Sequence, residues 1–90
     1  MCCQQSKSQL DLFAPLDFTN KQARHDYERQ VNQQIGRLIR TLRRKHGITQ
    51  KQLGEMLDVT YQQIQKYENG KSGISVGKLS IILKNLYLEN

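Results

Sequence analysis

Ninety residues with 37% apolar content and no Trp allow one small domain, and no stretch is apolar enough for a signal peptide or a membrane span. The formal charge of +6 is uneven: residues 1–30 hold four Lys/Arg against four Asp/Glu, and residues 31–90 hold ten against four. There is no Ser/His/Asp set, carboxylate pair, metal-ligand spacing or phosphate-cradling Gly loop, which excludes an enzyme and implies neither cofactor nor metal; the basic part instead favours a polyanion, most simply nucleic acid, in a cytoplasmic protein.

Cys2 and Cys3 are adjacent, a spacing that rarely bridges, and neither His25 nor His46 stands at metal-binding distance from them in sequence; reduced thiols are expected. Residues 1–20 read as a flexible N-terminal arm, with Gln, Ser and Lys at its start and Pro15 interrupting its apolar pieces. Leu12, Phe13, Leu16 and Phe18 are candidates to dock on the domain or on a second chain, or to stay disordered. Residues 21–90 read as the folded domain.

Helical patterning starts near residue 20. Thr19 or Asn20 caps a helix through Tyr27, either separate from the next or continuous with it. Val31, Ile35, Leu38, Ile39 and Leu42 then recur at i, i+4, i+7, i+8 and i+11, one face of a helix, with Arg37, Arg40 and Arg44 on another side. Gly47 ends this helix, and cations fill its last turn as the macrodipole prefers. Thr49 caps a second helix and Gln52 completes a capping box. Leu53, Met56 and Leu57 form its buried side; Gly54 among them lets another helix approach, at a propensity cost of ~1 kcal/mol. Leu57-Asp58-Val59 is a tight turn, and Asp58 tolerates a left-handed backbone there. Thr60 and Gln63 repeat the capping pattern at the start of a third helix, which Asn69-Gly70 ends. After the loop Lys71-Ser72-Gly73, Ser75 caps a fourth helix that buries Leu79, Ile82, Leu83 and Leu86. Strand alternation is absent, so the fold class is all-α.

On a wheel of about 100° per residue, Tyr61, Gln62, Gln65, Lys66 and Asn69 share one arc of the third helix, and Thr60, Ile64 and Tyr67 lie opposite. A merely solvated helix shows Glu and Lys at i, i+4 spacing. Here the outer face carries amides, and Glu68 is the single acid. Gln pairs both amide groups with adenine, Lys donates to guanine or phosphate, and Tyr offers a hydroxyl and an apolar ring to a thymine methyl. Tyr61, Gln62, Gln65 and Lys66 are therefore the candidate base contacts to double-stranded DNA. Candidate phosphate contacts flank them: Gln50 and Lys51 at the start of the second helix, Gln63, Asn69 and Lys71 around the third, and Arg40 on the basic first helix.

Ile35-Gly36, Ile39-Arg40, Leu42-Arg43, Gly47, Thr49-Gln50, Leu53, Val59-Thr60 and Tyr67-Glu68-Asn69-Gly70 resemble the Cro/cI (Xre-type) helix-turn-helix regulators, in unbroken spacing from about Ile35 to Leu86. The run from Thr60 to Gly70 followed by Ile74-Ser75 is most similar to alphaproteobacterial members. The resemblance implies a lambda-repressor-like domain of four to five helices, and a repressor acting as a homodimer on half-sites about one helical turn (~34 Å) apart. It also implies base contacts at Tyr61, Gln62, Gln65 and Lys66, phosphate contacts at Gln50, Asn69 and Lys71, and an ion pair between Arg43 and Glu68 that ties the first helix to the end of the recognition helix. Gly54 stands where the family usually has Ala, and Asp58 where it has a turn Gly. Tyr87-Leu88 occupy the Gly-Val that precedes the family's fifth helix, which often serves in dimerisation; the apolar arm residues with Tyr27 are candidates to cover that face instead. The alternative reading is an antitoxin-like module that binds a protein partner and also regulates its own gene, with the arm as docking segment.

Overall fold

In the computed structural model, which describes residues 19–88, the chain enters its first helix at Asn20, whose Oδ1 accepts the backbone N–H of Ala23. Helix α1 runs from Lys21 to Lys45 without a break, so the segment through Tyr27 and the segment from Val31 to Leu42 are one helix. No Pro or cap signal interrupts those residues. Cys2, Cys3 and the apolar arm residues Leu12 to Phe18 lie outside the described residues.

Three left-handed residues then close three helices in the same way. Gly47 (φ +66°) comes after α1, and the N–H of Ile48 reaches back to the Arg43 carbonyl at 3.2 Å. Helix α2 (Gln50–Leu57) carries the full capping box: Thr49 Oγ1 accepts from Gln52 N, and Gln52 Oε1 accepts from Thr49 N. It ends at Asp58 (φ 59°), with Val59 N–H on the Gly54 carbonyl at 2.9 Å. Helix α3 (Tyr61–Glu68) ends before Gly70 (φ +74°), with Lys71 N–H on the Lys66 carbonyl at 2.9 Å. Each closure satisfies carbonyls that a helix end leaves without a partner. A Cβ added at Gly54 would stand 2.6 Å from the Val59 carbonyl oxygen, so what that glycine admits is the turn itself rather than another helix.

The capping pattern at α3 is only half made. Thr60 Oγ1 accepts from Gln63 N, but the Gln63 amide donates to Ser72 Oγ at 3.2 Å instead of returning to Thr60. The nearby loop offers a partner that competes with the local one. Ser75 caps α4 (Val76–Ile82), which passes into a π-helical turn at Leu83–Tyr87 rather than continuing as α-helix. Asn85 Nδ2 donates to the Ile81 carbonyl, the acceptor its own backbone N–H would use in an α-helix. His46 Nε2 faces the Leu86 carbonyl at 2.7 Å and donates to it, which ties the last turn to the end of α1.

Ile39 and Leu42 of α1, Leu53 and Leu57 of α2, Ile64 and Tyr67 of α3, and Ile82 and Leu86 form the buried core. Two residues expected inside are at its rim: Met56 and Leu38 are each 39% exposed. In α2 the buried stripe is Leu53, Gly54 and Leu57, and in α1 it is Gly36, Ile39 and Leu42. The described residues contain four α-helices, one π-helical turn and no strand, and none of the helices is long and apolar enough to cross a membrane.

Candidate nucleic-acid interface

Helix α3 is held by Ile64, fully buried, and Tyr67, nearly so. That fixes the rotation of the helix and turns Tyr61, Gln62, Gln65 and Lys66 outward together; all four are exposed. Asn69 continues the same side at the helix end and is also exposed. Amide, phenol and ammonium groups are thus brought together on the exposed side of α3, the side-chain chemistry that can pair with base edges.

Behind this side of α3 lies a charged cluster. The Glu68 side chain is 1% exposed and accepts three side chains from two other helices. Arg43 donates from Nε to Oε2 at 2.6 Å and from Nη2 to Oε1 at 3.2 Å. Gln50 Nε2 donates to Oε1 at 3.1 Å, and Arg40 Nε approaches the same oxygen at 3.5 Å. Burial alone would push the Glu68 carboxyl up; the bonds from Arg43 and Gln50 and the Arg43 charge outweigh it and hold the group below its ordinary range. Glu68 is therefore an anion that can only accept. Arg43 spends a further N–H on the Ile48 carbonyl at 3.0 Å, so the cluster also fixes the α1–α2 connection.

The phosphate candidates divide into two groups. Lys51, Lys71 and Asn69 are exposed. Gln50, Gln63 and Arg40 are partly buried and already engaged: Gln50 with Glu68 and Gln65, Gln63 with Ser72, and Arg40 with Glu68 and with Asn69 Oδ1 at 3.1 Å. Sequence reasoning misses the share Arg40 takes of Glu68, although its signal is there: Arg40 lies one turn before Arg43 on α1, at i, i+3 spacing. The contact from Gln65 Nε2 to Gln50 Oε1 at 3.3 Å has no local signal, because it joins residues fifteen apart on different helices. The first half of α1 runs past the end of α3 and makes a polar groove with it, lined by Arg29, Asn32, Gln33, Asn69 and Lys71. Among the described residues no group of His, Cys, Asp and Glu is placed to hold a metal ion.

Residues 39–86 match the helix-turn-helix family model. An uncharacterized helix-turn-helix-type transcriptional regulator of Rickettsia conorii is 41% identical over 63 residues, 70% of this chain and 50% of that protein. One from Sinorhizobium fredii is 37% identical over 71 residues, 79% of this chain and 50% of the relative. An uncharacterized transcriptional regulator in the ATPase CF(0) region of Rhodospirillum rubrum is 38% identical over 56 residues, 62% of this chain and 52% of its own. The chain spans about half the length of the curated relatives it matches. No solved structure matches significantly.

Proposed function

Because the chain belongs to the Cro/cI-type helix-turn-helix family of DNA-binding transcriptional regulators, we propose that it is a sequence-specific repressor whose residues 21–90 read the major groove through α3. The observation that carries this reading is the shared outward face of Tyr61, Gln62, Gln65 and Lys66 on a helix locked from behind by Ile64 and Tyr67. Lys51 and Lys71 flank that face as exposed cations for the phosphate backbone, and Asn69 adds an amide at its end. Selection of bound duplexes from random DNA, followed by titration at several salt concentrations, is the test. A defined site with affinity that falls steeply with salt is expected; binding that ignores salt or treats scrambled DNA alike overturns the proposal.

Two substitutions separate the roles. Gln62→Ala is expected to cost about 1–3 kcal/mol on the selected site and to relax preference at one base pair. Lys71→Ala is expected to weaken all sequences alike and to reduce the salt slope by about one. Both are read from the same titrations.

Cytoplasmic action as a homodimer on DNA belongs to the same proposal. Leu38, Leu83, Tyr87 and Leu88 line an apolar groove beside the last helical turn, and Tyr87 and Leu88 are both largely exposed. Pairing through this groove would bury them. Tyr87→Asp is expected to lower affinity for a two-half-site operator about tenfold or more, with binding to a single half-site unchanged; equal loss on both overturns the pairing surface. The partner-binding alternative rests on Leu12, Phe13, Leu16 and Phe18, which lie outside the described residues.

A further inference from the structure

We propose that Gln50 is a positioning residue that decides which edge of the Gln65 amide meets a base, and that Gln65 therefore selects adenine. This rests on the groove-reading role of α3. Polarity starts at Glu68, whose buried carboxylate offers only acceptors. Gln50, at the first position of α2, must turn its Nε2 to that carboxylate, and does so at 3.1 Å. Its Oε1 is then committed to the opposite side, where only a donor fits, and Gln65 supplies Nε2 at 3.3 Å.

The Gln65 amide has two N–H groups and one carbonyl oxygen. One N–H is held by Gln50. The other N–H and Oε1 remain side by side on the free edge, one donor next to one acceptor. Adenine presents the complement in the major groove, a donor at N6 beside an acceptor at N7. Guanine presents two acceptors, so its O6 would face the Gln65 oxygen. A Gln without the Gln50 contact can rotate its amide and offer two donors instead. The chain Arg43–Glu68–Gln50–Gln65 thus carries the orientation of a structural ion pair out to the reading face.

The experiment uses the full 90-residue chain and the duplex it selects from random DNA. Gln65→Ala first locates the base pair that Gln65 reads. In the unaltered chain adenine is expected there over guanine by about tenfold or more. Gln50→Lys replaces the relay with a group that only donates, to Glu68 and to Gln65 Oε1, and turns the Gln65 N–H pair outward. Preference at that base pair is expected to move from adenine to guanine, whatever the added charge does to affinity overall. Gln50→Leu, which gives no polarity and also removes one bond to Glu68, is expected to bring the two bases to within about threefold, at a lowered thermal unfolding midpoint.

Adenine preference unchanged in both Gln50 variants overturns the inference, as does guanine at that pair in the unaltered chain or a Gln65→Ala chain with unaltered preferences. If the unaltered chain binds every sequence alike, the groove-reading role falls and the inference falls with it. A sequence preference that survives without dependence on Gln50 removes the inference alone.

Discussion

Replacing Arg43 with Ala is expected to cost the domain about 3 kcal/mol of stability. The loss comes from the group left without its partner. Glu68 is 1% exposed and Arg43 13%, so deletion leaves a buried carboxylate with Gln50 and a more distant Arg40. Deletion of one member of a buried pair is costly mainly because the other is stranded, not because the pair itself is strong. For a domain this small, about 3 kcal/mol is a large fraction of the total. Urea unfolding at neutral pH reads the loss, and a fall of less than about 1 kcal/mol would mark the pair as an ordinary surface contact.

The same residues set a pH dependence with a definite sign. Glu68 titrates below its ordinary value of 4.5 in the folded chain, so the folded state binds fewer protons there than the unfolded state. The stability this supplies is complete above 4.5 and is lost as pH falls through the depressed folded value. In Arg43→Ala the main cause of the depression is gone, and burial is opposed only by the bonds from Gln50 and Arg40. The gap between the two proteins is therefore expected to narrow in acid, where Glu68 is protonated in both. A gap that stays constant with pH would place the cost in packing rather than in charge.

Gly36→Ala is expected to destabilise by about 2 kcal/mol, even though Ala is the better helix former by about 1 kcal/mol. A Cβ at Gly36 would overlap the Tyr67 carbonyl oxygen and stand 2.8 Å from that of Glu68. Backbone atoms of a helix end cannot rotate away, so α1 and α3 must move apart, an overpacking cost of about 3 kcal/mol. The separation also pulls Arg43 away from Glu68, which sits on the same crossing. Gly77→Ala is the control: its added methyl meets nothing within 4 Å, and it is expected to be neutral or stabilising by up to about 1 kcal/mol. Thermal unfolding of the two variants side by side checks the contrast.

Much of the framework is legible one turn at a time. Thr49 with Gln52, Thr60, Ser75, Gly47, Asp58 and Gly70 mark helix starts and stops through bonds that span three to five residues, and the helices begin and end where those residues stand. The wheel position of Ile64 and Tyr67 is local in the same sense, and it suffices to say which side of α3 faces out. Met56 and Leu38 sit at the rim and not inside because an apolar stripe is wider than the strip a neighbouring helix covers. Gln63 leaves its expected capping box because its side chain, which would accept the Thr60 N–H there, is drawn instead to Ser72, to whose Oγ its Nε2 donates.

The sequence alone determined an all-α domain, its helix ends, its basic charge and a third helix with an amide-rich outer face. Each depends on contacts within a turn or on side-chain spacing, which the order of residues specifies directly. Only the tertiary structure decided that Gly36 is where α1 touches the α3 backbone, that Arg40 and Gln50 join Arg43 on Glu68, and that the last helix widens into a π-turn under His46. Those contacts join residues between eighteen and forty positions apart. Their partners are chosen by how three helices cross, and a crossing is a property of the packed core that no single helix contains.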